Sequence, residues 1–199
     1  MIVHDMPQRS EEWYAVRLGK ITSTSFPTMA NGKAATIDAL CLKTAAERIT
    51  GVPSENGYTN GAMEYGVETE ALALAAYETR TFAPVRRVGF VELDSYIGVS
   101  PDGLLDDGGV EIKCPQPHTH LHYLTTTASW KAYKWQIQGC LWVTGAAWWD
   151  FASFCAAFPA ERQLRVERVT PDAECFEKLE AGAACCRERI DAIMARYDE

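Results

Sequence analysis

The sequence predicts one compact domain of the α/β (α+β) class. Helical and strand-like apolar patterns follow one another along the chain, and 47% of the residues are hydrophobic, enough to bury a substantial core. No linker, repeat or low-complexity tract interrupts the 199 residues. We therefore expect a single domain over residues 1–199.

Helical patterns occur in both halves of the chain. Ser10 precedes Glu11 and Glu12, which is typical of a helix start, because acidic side chains there face the positive end of the helix dipole. Apolar residues recur at helical spacing in four further segments. These are residues 36–51, residues 61–79, the segment that begins at 130, and residues 172–197.

Strand-like runs lie between the predicted helices. They cover residues 85–93, 97–100, 110–114, 147–154 and 163–169. The last run alternates apolar and polar residues, as an edge strand does. Because residues 106–109 read Asp-Asp-Gly-Gly, a strong turn signal, we expect residues 97–100 and 110–114 to form a hairpin.

Three ionisable residues converge on this predicted hairpin. Asp102 follows the first strand, and Glu111 and Lys113 share one face of the second strand, whereas Val110 and Ile112 face the core. Adjacent carboxylates repel unless a proton or a cation lies between them, and Mg²⁺ prefers one or two carboxylates together with phosphate oxygens. The pattern predicts a cation site that accepts a phosphate. The alternative is an acidic turn beside an exposed Glu–Lys ion pair.

A second polar cluster follows the first predicted helix. Arg17 precedes a run of hydroxyl residues at 22–25, near a new helix start. Hydroxyls and backbone N–H groups at a helix N-terminus bind anions, particularly beside an arginine. An ordinary capping segment, in which the hydroxyls satisfy the helix's own N–H groups, explains the same residues.

Charge and cysteine content limit the class of protein. The net charge of −8 excludes a polycation that coats DNA, although a nuclease can confine its positive charge to a channel. No apolar run reaches the roughly 20 residues needed to span a bilayer, and the N-terminus lacks the layout of a signal peptide. The seven cysteines form no CxxC pair. We expect a cytoplasmic protein without structural zinc or disulfides.

Six motifs together resemble one family. In chain order they are WYAVRLGKITSTS, YGVETE, GVSPDGL, VEIKCP, YKWQIQ and WVTG. They resemble the lambda-exonuclease-like alkaline exonucleases, also called YqaJ-type viral recombinases, and the Asp, Glu-x-Lys pattern resembles the PD-(D/E)xK nuclease core. The resemblance implies a PD-(D/E)xK restriction-endonuclease-like fold, with a central mixed β-sheet flanked by helices, and a phage or prophage protein in a bacterial host.

The resemblance also implies residue roles. Catalytic roles fall to Asp102, Glu111, Lys113 and Gln136. The implied metal ligands are Glu70, Asp102, Glu111 and the carbonyl of Ile112. The implied 5′-phosphate and DNA contacts are Arg17, Thr22, Thr24 and Ser100. Lys113 would orient or deprotonate the attacking water; the second role requires a pKa below the usual value of about 10.4 and predicts better activity at alkaline pH.

The implied activity is that of a Mg²⁺-dependent 5′-to-3′ exonuclease, with Mn²⁺ able to substitute. It would degrade one strand of linear double-stranded DNA to mononucleotides and leave a 3′ overhang for recombination. The implied partners are DNA ends, a single-strand-annealing recombination protein and two further copies of the chain in a homotrimeric ring. Two alternatives remain open: a PD-(D/E)xK endonuclease that cuts internally, and a non-catalytic protein that binds DNA ends.

Three histidines, His118, His120 and His122, are spaced by two residues. On a strand they would share a face and could bind zinc. The neighbouring prolines instead favour a loop, in which the rings would be scattered. A loop that faces DNA is the more modest functional interpretation.

Overall fold

The computed structural model describes residues 1–54 and 61–199, with side chains described for residues 1–54 and 69–199. Within them the helices are α1 (Glu11–Arg17), α2 (Phe26–Asn31), α3 (Ala34–Thr50), α4 (Gly61–Thr81), α5 (Pro117–Thr125), α6 (Lys134–Thr144) and α7 (Ala173–Tyr197). The strands are β1 (Ile2–His4), β2 (Phe90–Glu92), β3 (Gly98–Val99), β4 (Gly103–Leu104), β5 (Gly108–Lys113), β6 (Trp148–Phe154) and β7 (Leu164–Val169). None of these helices is both long and apolar enough to span a bilayer.

The strands form two sheets. Antiparallel pairing joins β1, β2 and β3 in that order, and a second sheet has the order β4-β5-β6-β7. In the second sheet β5 and β6 are parallel, whereas β4 and β7 are antiparallel to their neighbours. The mixed α+β architecture with flanking helices is thus confirmed, as is the edge position of β7. The strands are divided between two sheets, where one central sheet was expected.

The predicted hairpin between residues 97–100 and 110–114 is wrong. β3 pairs with β2 in the first sheet, and the strand antiparallel to β5 is β4. Pro101 separates β3 from β4, and proline has no N–H group with which to continue a ladder. The chain therefore leaves the first sheet at Pro101 and enters the second at Gly103. Asp102 lies at this transition.

Apolar clusters cover both faces of the second sheet. The larger cluster includes Phe26, Met29 and Leu141 from the helices and Trp149 and Phe151 from β6. The smaller cluster lies between α4 and the sheet. It comprises Ala73, Tyr77, Val110, Ile112, Ala152, Phe154 and Leu164. The predicted inward orientation of Val110 and Ile112 is confirmed.

Residues 117–125 form helix α5, so the predicted loop is wrong here. Pro117 opens the helix, a position where its missing N–H group has no partner to lose. His120 is buried and contacts Ser153 Oγ at 2.7 Å and the Arg162 carbonyl at 3.0 Å, whereas His118 and His122 are exposed. His120 is therefore a packing residue that joins α5 to β6.

β5 begins with two glycines whose backbone lies directly against tryptophan rings. A Cβ atom on Gly108 would lie 2.4 Å from Trp148 Cε2, and one on Gly109 would lie 2.3 Å from Trp149 Cη2. Both contacts are shorter than van der Waals distance. The parallel register places Gly108 opposite Trp148 and Gly109 opposite Trp149, so this end of β5 has no room for side chains.

We expect Gly109→Ala to lower the free energy of unfolding by about 1–3 kcal/mol, the usual range for overpacking a core, because the Trp149 ring is fully buried and must move. Urea denaturation followed by far-UV circular dichroism measures this. The neighbouring exposed substitution Asp107→Ala is the control and should change stability by less than about 0.5 kcal/mol. An unchanged midpoint for Gly109→Ala would show that Trp149 has space to relax.

Candidate active site

Glu111 lies at the centre of the candidate site. It projects from β5 and is only 1% exposed. Its Oε1 atom accepts hydrogen bonds from Lys113 Nζ and from Gln136 Nε2, the latter at 2.6 Å. The two-residue spacing on a strand places Glu111 and Lys113 on one face, and α6 brings Gln136 to the same atom.

Asp102 reaches the same site from the loop between β3 and β4. Its Oδ2 atom accepts a hydrogen bond of 2.6 Å from the backbone N–H of Ile112. Burial and the charge of Glu111 raise the pKa of Asp102 well above the usual carboxyl range, and Lys113 partly opposes that shift. Two carboxylates therefore share one poorly solvated volume although the predicted hairpin does not form.

Lys113 is held in its charged form in this structure. Burial acts to lower its pKa, but the carboxylates of Glu111 and Asp102 outweigh burial and raise the pKa above the usual lysine value. The ammonium also lies 5.1 Å from the centroid of the Tyr133 ring, which favours a cation. This direction is the opposite of what a deprotonating role for Lys113 requires.

Glu70 lies beside this cluster on α4. Its Oε1 atom accepts a 2.7 Å hydrogen bond from Arg87, and its Oε2 atom is 3.9 Å from Arg9 Nη2. The charge of Glu70 contributes weakly to the raised pKa of Asp102. Glu70 is thus close enough to act on Asp102 electrostatically, but its hydrogen bond goes to Arg87, and Arg9 is an ion-pair partner beyond hydrogen-bond distance.

The donor atoms fit a hard divalent cation. Glu111 Oε2 is buried and has no hydrogen-bond partner among the described residues, an arrangement that is costly unless a ligand completes it. Asp102 and Glu111 supply two carboxylates, a number that suits Mg²⁺ with its remaining positions given to water and phosphate. No group of three or more His, Cys, Asp or Glu side chains in the described part of the chain forms a closed metal cage.

Arg17 and Ser100 meet at a second polar site. Ser100 Oγ accepts hydrogen bonds from Arg17 Nη1 at 2.7 Å and from Trp13 Nε1 at 3.0 Å, and the Arg17 guanidinium lies 4.0 Å from the Trp13 ring centroid. A hydroxyl has two lone pairs and one proton. With both lone pairs engaged, Ser100 can offer only its proton to a ligand, so this pocket favours an anion.

Thr22 and Thr24 form a separate pair near this pocket. Their hydroxyl oxygens are 3.5 Å apart, with Thr22 buried and Thr24 exposed. A parallel bridge between Ile21 and Ile97 holds their segment alongside the strand that leads to Ser100.

A model of the YqaJ-like viral recombinase domain matches residues 12–147, which is more than half of the chain. The chain belongs to the YqaJ-like viral recombinase family. The matched region contains Arg17, Glu70, Ser100, Asp102, Glu111, Lys113 and Gln136. No curated protein sequence matched the chain.

Solved structures resemble this YqaJ-like domain over nearly its whole length. The crystal structure of an alkaline exonuclease from Laribacter hongkongensis, LHK-Exo, has 30% sequence identity and a TM-score of 0.82, over 95% of this chain and 96% of that chain. The LHK-Exo complex with dAMP gives the same identity and TM-score over 94% and 96%. A phage-related exonuclease from Haemophilus somnus 129PT, at 13% identity and TM-score 0.72 over 89% and 96%, shows the shared fold alone.

Sequence reasoning missed three residues that shape the two sites of this YqaJ-like domain. Trp13 binds Ser100, and Tyr133 stacks on Phe151 beside Lys113. Gln8 binds the carbonyl of Pro101. Trp13 and Tyr133 lie within two of the six motifs, and their N–H and O–H groups could have marked them as candidate site residues. Gln8 lies outside these motifs and binds backbone carbonyls, which no sequence pattern indicates.

We expect Mg²⁺ to raise the unfolding temperature of the wild-type domain and to have no effect on Asp102→Asn. Metal at one hundred times its dissociation constant stabilises a folded protein by about 2.7 kcal/mol, and the substitution removes one of the two carboxylates. Scanning calorimetry with and without Mg²⁺ measures this difference. The exposed neighbour Asp106→Asn should keep the wild-type response. An equal Mg²⁺ effect in Asp102→Asn would place the cation elsewhere.

Proposed function

We propose that this domain is a Mg²⁺-dependent 5′-to-3′ exonuclease that degrades one strand of linear double-stranded DNA to mononucleotides and leaves a 3′ single-stranded overhang. Family membership and the similarity to an alkaline exonuclease support a nuclease of the recombinase type. The observation that carries the proposal is the incompletely paired carboxylate of Glu111, next to Asp102 and Lys113.

The metal would be held by Asp102, Glu111 and the carbonyl of Ile112, with Glu70 more peripheral. When bound, Mg²⁺ polarises the scissile phosphate and stabilises the leaving oxygen, and Mn²⁺ is expected to substitute. Gln136 and Lys113 both donate to Glu111 Oε1 and so orient Oε2 toward the cation. The Lys113 ammonium would also hold the attacking water by donating a hydrogen bond to its oxygen.

The pocket formed by Arg17 and Ser100 would bind the 5′-phosphate of the DNA end. Arg17 supplies a charge-assisted donor and Ser100 supplies its hydroxyl proton. Thr22 and Thr24 add hydroxyls from the adjacent segment. Ser100 and Asp102 are two residues apart, so binding of a terminal phosphate sets which phosphodiester bond reaches the carboxylates. This proximity favours an end-dependent exonuclease over an enzyme that cuts internally.

The proposal extends to the context in which the enzyme works. A nuclease of this kind would act in the cytoplasm of a bacterium as part of phage-type recombination, together with a single-strand-annealing protein that uses the 3′ overhang. A homotrimeric ring around the DNA would make digestion processive. Sedimentation at several protein concentrations tests the trimer independently of the chemistry.

Digestion of linear duplex DNA carrying a single label at a 5′ or a 3′ end tests the function. With Mg²⁺ present, we expect labelled mononucleotides from the 5′-labelled strand at early times, an intact covalently closed circle, and no products in EDTA. Cleavage of the circle would identify an endonuclease. Binding of DNA ends without cleavage in Mg²⁺ or Mn²⁺ would identify a non-catalytic end-binding protein.

Lys113→Met should lower the cleavage rate roughly 10²- to 10³-fold, the range for loss of one preorganised hydrogen-bond donor, because it keeps the aliphatic stem and removes the ammonium. Single-turnover digestion measures the rate, and fluorescence anisotropy measures Mg²⁺-dependent DNA binding, which should be retained. The exposed Lys33→Met is the control. Equal loss of cleavage and binding would assign Lys113 a binding role.

Arg17→Ala should reduce the preference for 5′-phosphorylated over 5′-hydroxyl ends roughly tenfold or more, since hydrogen bonds to charged groups contribute about 1.5–3 kcal/mol. Competition between the two ends in one reaction measures the ratio of their kcat/KM values. Arg189→Ala, which removes an ion pair with Asp38 on α3, is the control. A ratio unchanged by Arg17→Ala would remove the terminal phosphate from this pocket.

A further inference from the structure

Gln8 connects two backbone segments next to both sites. Its Nε2 atom donates hydrogen bonds to the carbonyl of Pro101 at 2.8 Å and to the carbonyl of Val88 at 3.3 Å. Pro101 stands between Ser100, in the anion pocket, and Asp102, in the carboxylate cluster. The Gln8 amide is therefore hydrogen-bonded to the backbone between the two sites.

Trp13 makes a second connection between the same segments. Its Nε1 atom donates to the carbonyl of Gly89 at 2.9 Å and to Ser100 Oγ at 3.0 Å. Residues 88–89 and residues 100–101 are thus tied together twice, by Gln8 and by Trp13.

The backbone around Gln8 is adapted to this contact. Arg9 adopts a left-handed conformation with φ of 69°, which costs a non-glycine residue energy that packing must offset. A Cβ atom on Gly89 would lie 2.5 Å from the Met6 carbonyl oxygen, so only glycine lets the Gln8 segment lie this close. Ser10 then caps α1, which carries Trp13 and Arg17.

The direction of the Pro101 carbonyl depends on the backbone conformation between the two sites. The ring of Pro101 fixes φ, so rotation about ψ is the torsion left at this residue, and ψ sets the direction of the carbonyl. By holding that oxygen, Gln8 fixes ψ. The Cα atoms of Ser100 and Asp102 lie at most about 7 Å apart whatever the value of ψ, but ψ sets how the two residues are directed relative to one another.

We infer that Gln8 is a positioning residue that holds the pocket for the 5′-phosphate and the carboxylates that direct cleavage in one mutual orientation, so that the scissile phosphodiester bond is aligned with the carboxylates once the 5′-phosphate is bound. This inference rests on the proposed function. Gln8 does not contact the reacting atoms; it acts through the Pro101 carbonyl. Without it, rotation at Pro101 would displace Ser100 and Asp102 relative to one another, and a misplacement of about 1 Å is enough to slow a reaction about 100-fold.

The test uses Gln8→Glu and Gln8→Met in the full-length chain. A glutamate has the same shape but is acceptor-only when ionised, so it repels both carbonyls, and methionine has similar length without a donor. Linear 5′-phosphorylated duplex with internal label is digested in Mg²⁺, and products are separated by length. Initial rates at several concentrations of DNA ends give kcat and KM, and we expect kcat to fall by about 10- to 100-fold with KM for DNA ends unchanged.

Gln163→Glu is the matched control. Gln163 Nε2 also bridges two backbone carbonyls, those of Ala156 at 3.1 Å and Phe158 at 2.9 Å, in the turn between β6 and β7. Its kcat and its KM for DNA ends should equal those of the wild-type chain. Thermal unfolding of each variant shows which ones are folded, and Gln8→Met serves if Gln8→Glu does not fold.

Two kinds of failure are distinguishable. If the wild-type chain releases nothing from 5′ ends, the proposed exonuclease fails and the inference fails with it. If the wild-type chain digests 5′ ends and the folded Gln8 variants keep its kcat, or show a raised KM instead, the function stands and the positioning role of Gln8 is overturned. An equal fall in kcat for Gln163→Glu would likewise overturn it, since loss of any amide that bridges two carbonyls would then slow the enzyme.

Discussion

The parallel pairing of β5 with β6 is the constraint on which both the core and the candidate site depend. It runs from Gly108 opposite Trp148 to Lys113 opposite Ser153, and side chains alternate between its two faces. On one face of β5, Val110 and Ile112 pack in the cluster under α4. Glu111 and Lys113 lie on the other face. A slip of one residue would exchange the two faces and bury both charges in the apolar cluster.

Two buried carboxylates of this sheet show how structural and functional charges differ. Asp150 on β6 is 1% exposed and fully paired, because Arg168 donates to both oxygens at 2.9 Å and Tyr77 adds a third bond at 2.8 Å. Glu111 is equally buried, yet its donors converge on Oε1 and leave Oε2 without a partner among the described residues. Complete pairing stabilises a fold, whereas incomplete pairing retains the capacity to bind a cation.

The sequence was informative where a signal is local and periodic. Helices over 36–51 and 172–197 and the two faces of β5 followed from spacing, and Asp102, Glu111 and Lys113 lie within twelve positions of one another. The division into two sheets was not predictable, because β1, β3 and β4 have only two or three residues each, and β1 pairs with β2 from a distant part of the sequence. The approach of Arg17 to Ser100, 83 positions apart, was available only through family resemblance, and Gln8 has backbone acceptors that no pattern encodes.

The flat contact of Gly108 and Gly109 with two indole rings has a consequence for sequence variation. The start of β5 cannot shift or gain side chains without displacing Trp148 and Trp149, whereas Asp106 and Asp107 immediately before it are exposed. A change in the length of this turn is therefore expected to leave Glu111 and Lys113 in place, because their position is set by the pairing of β5 with β6 and not by the turn.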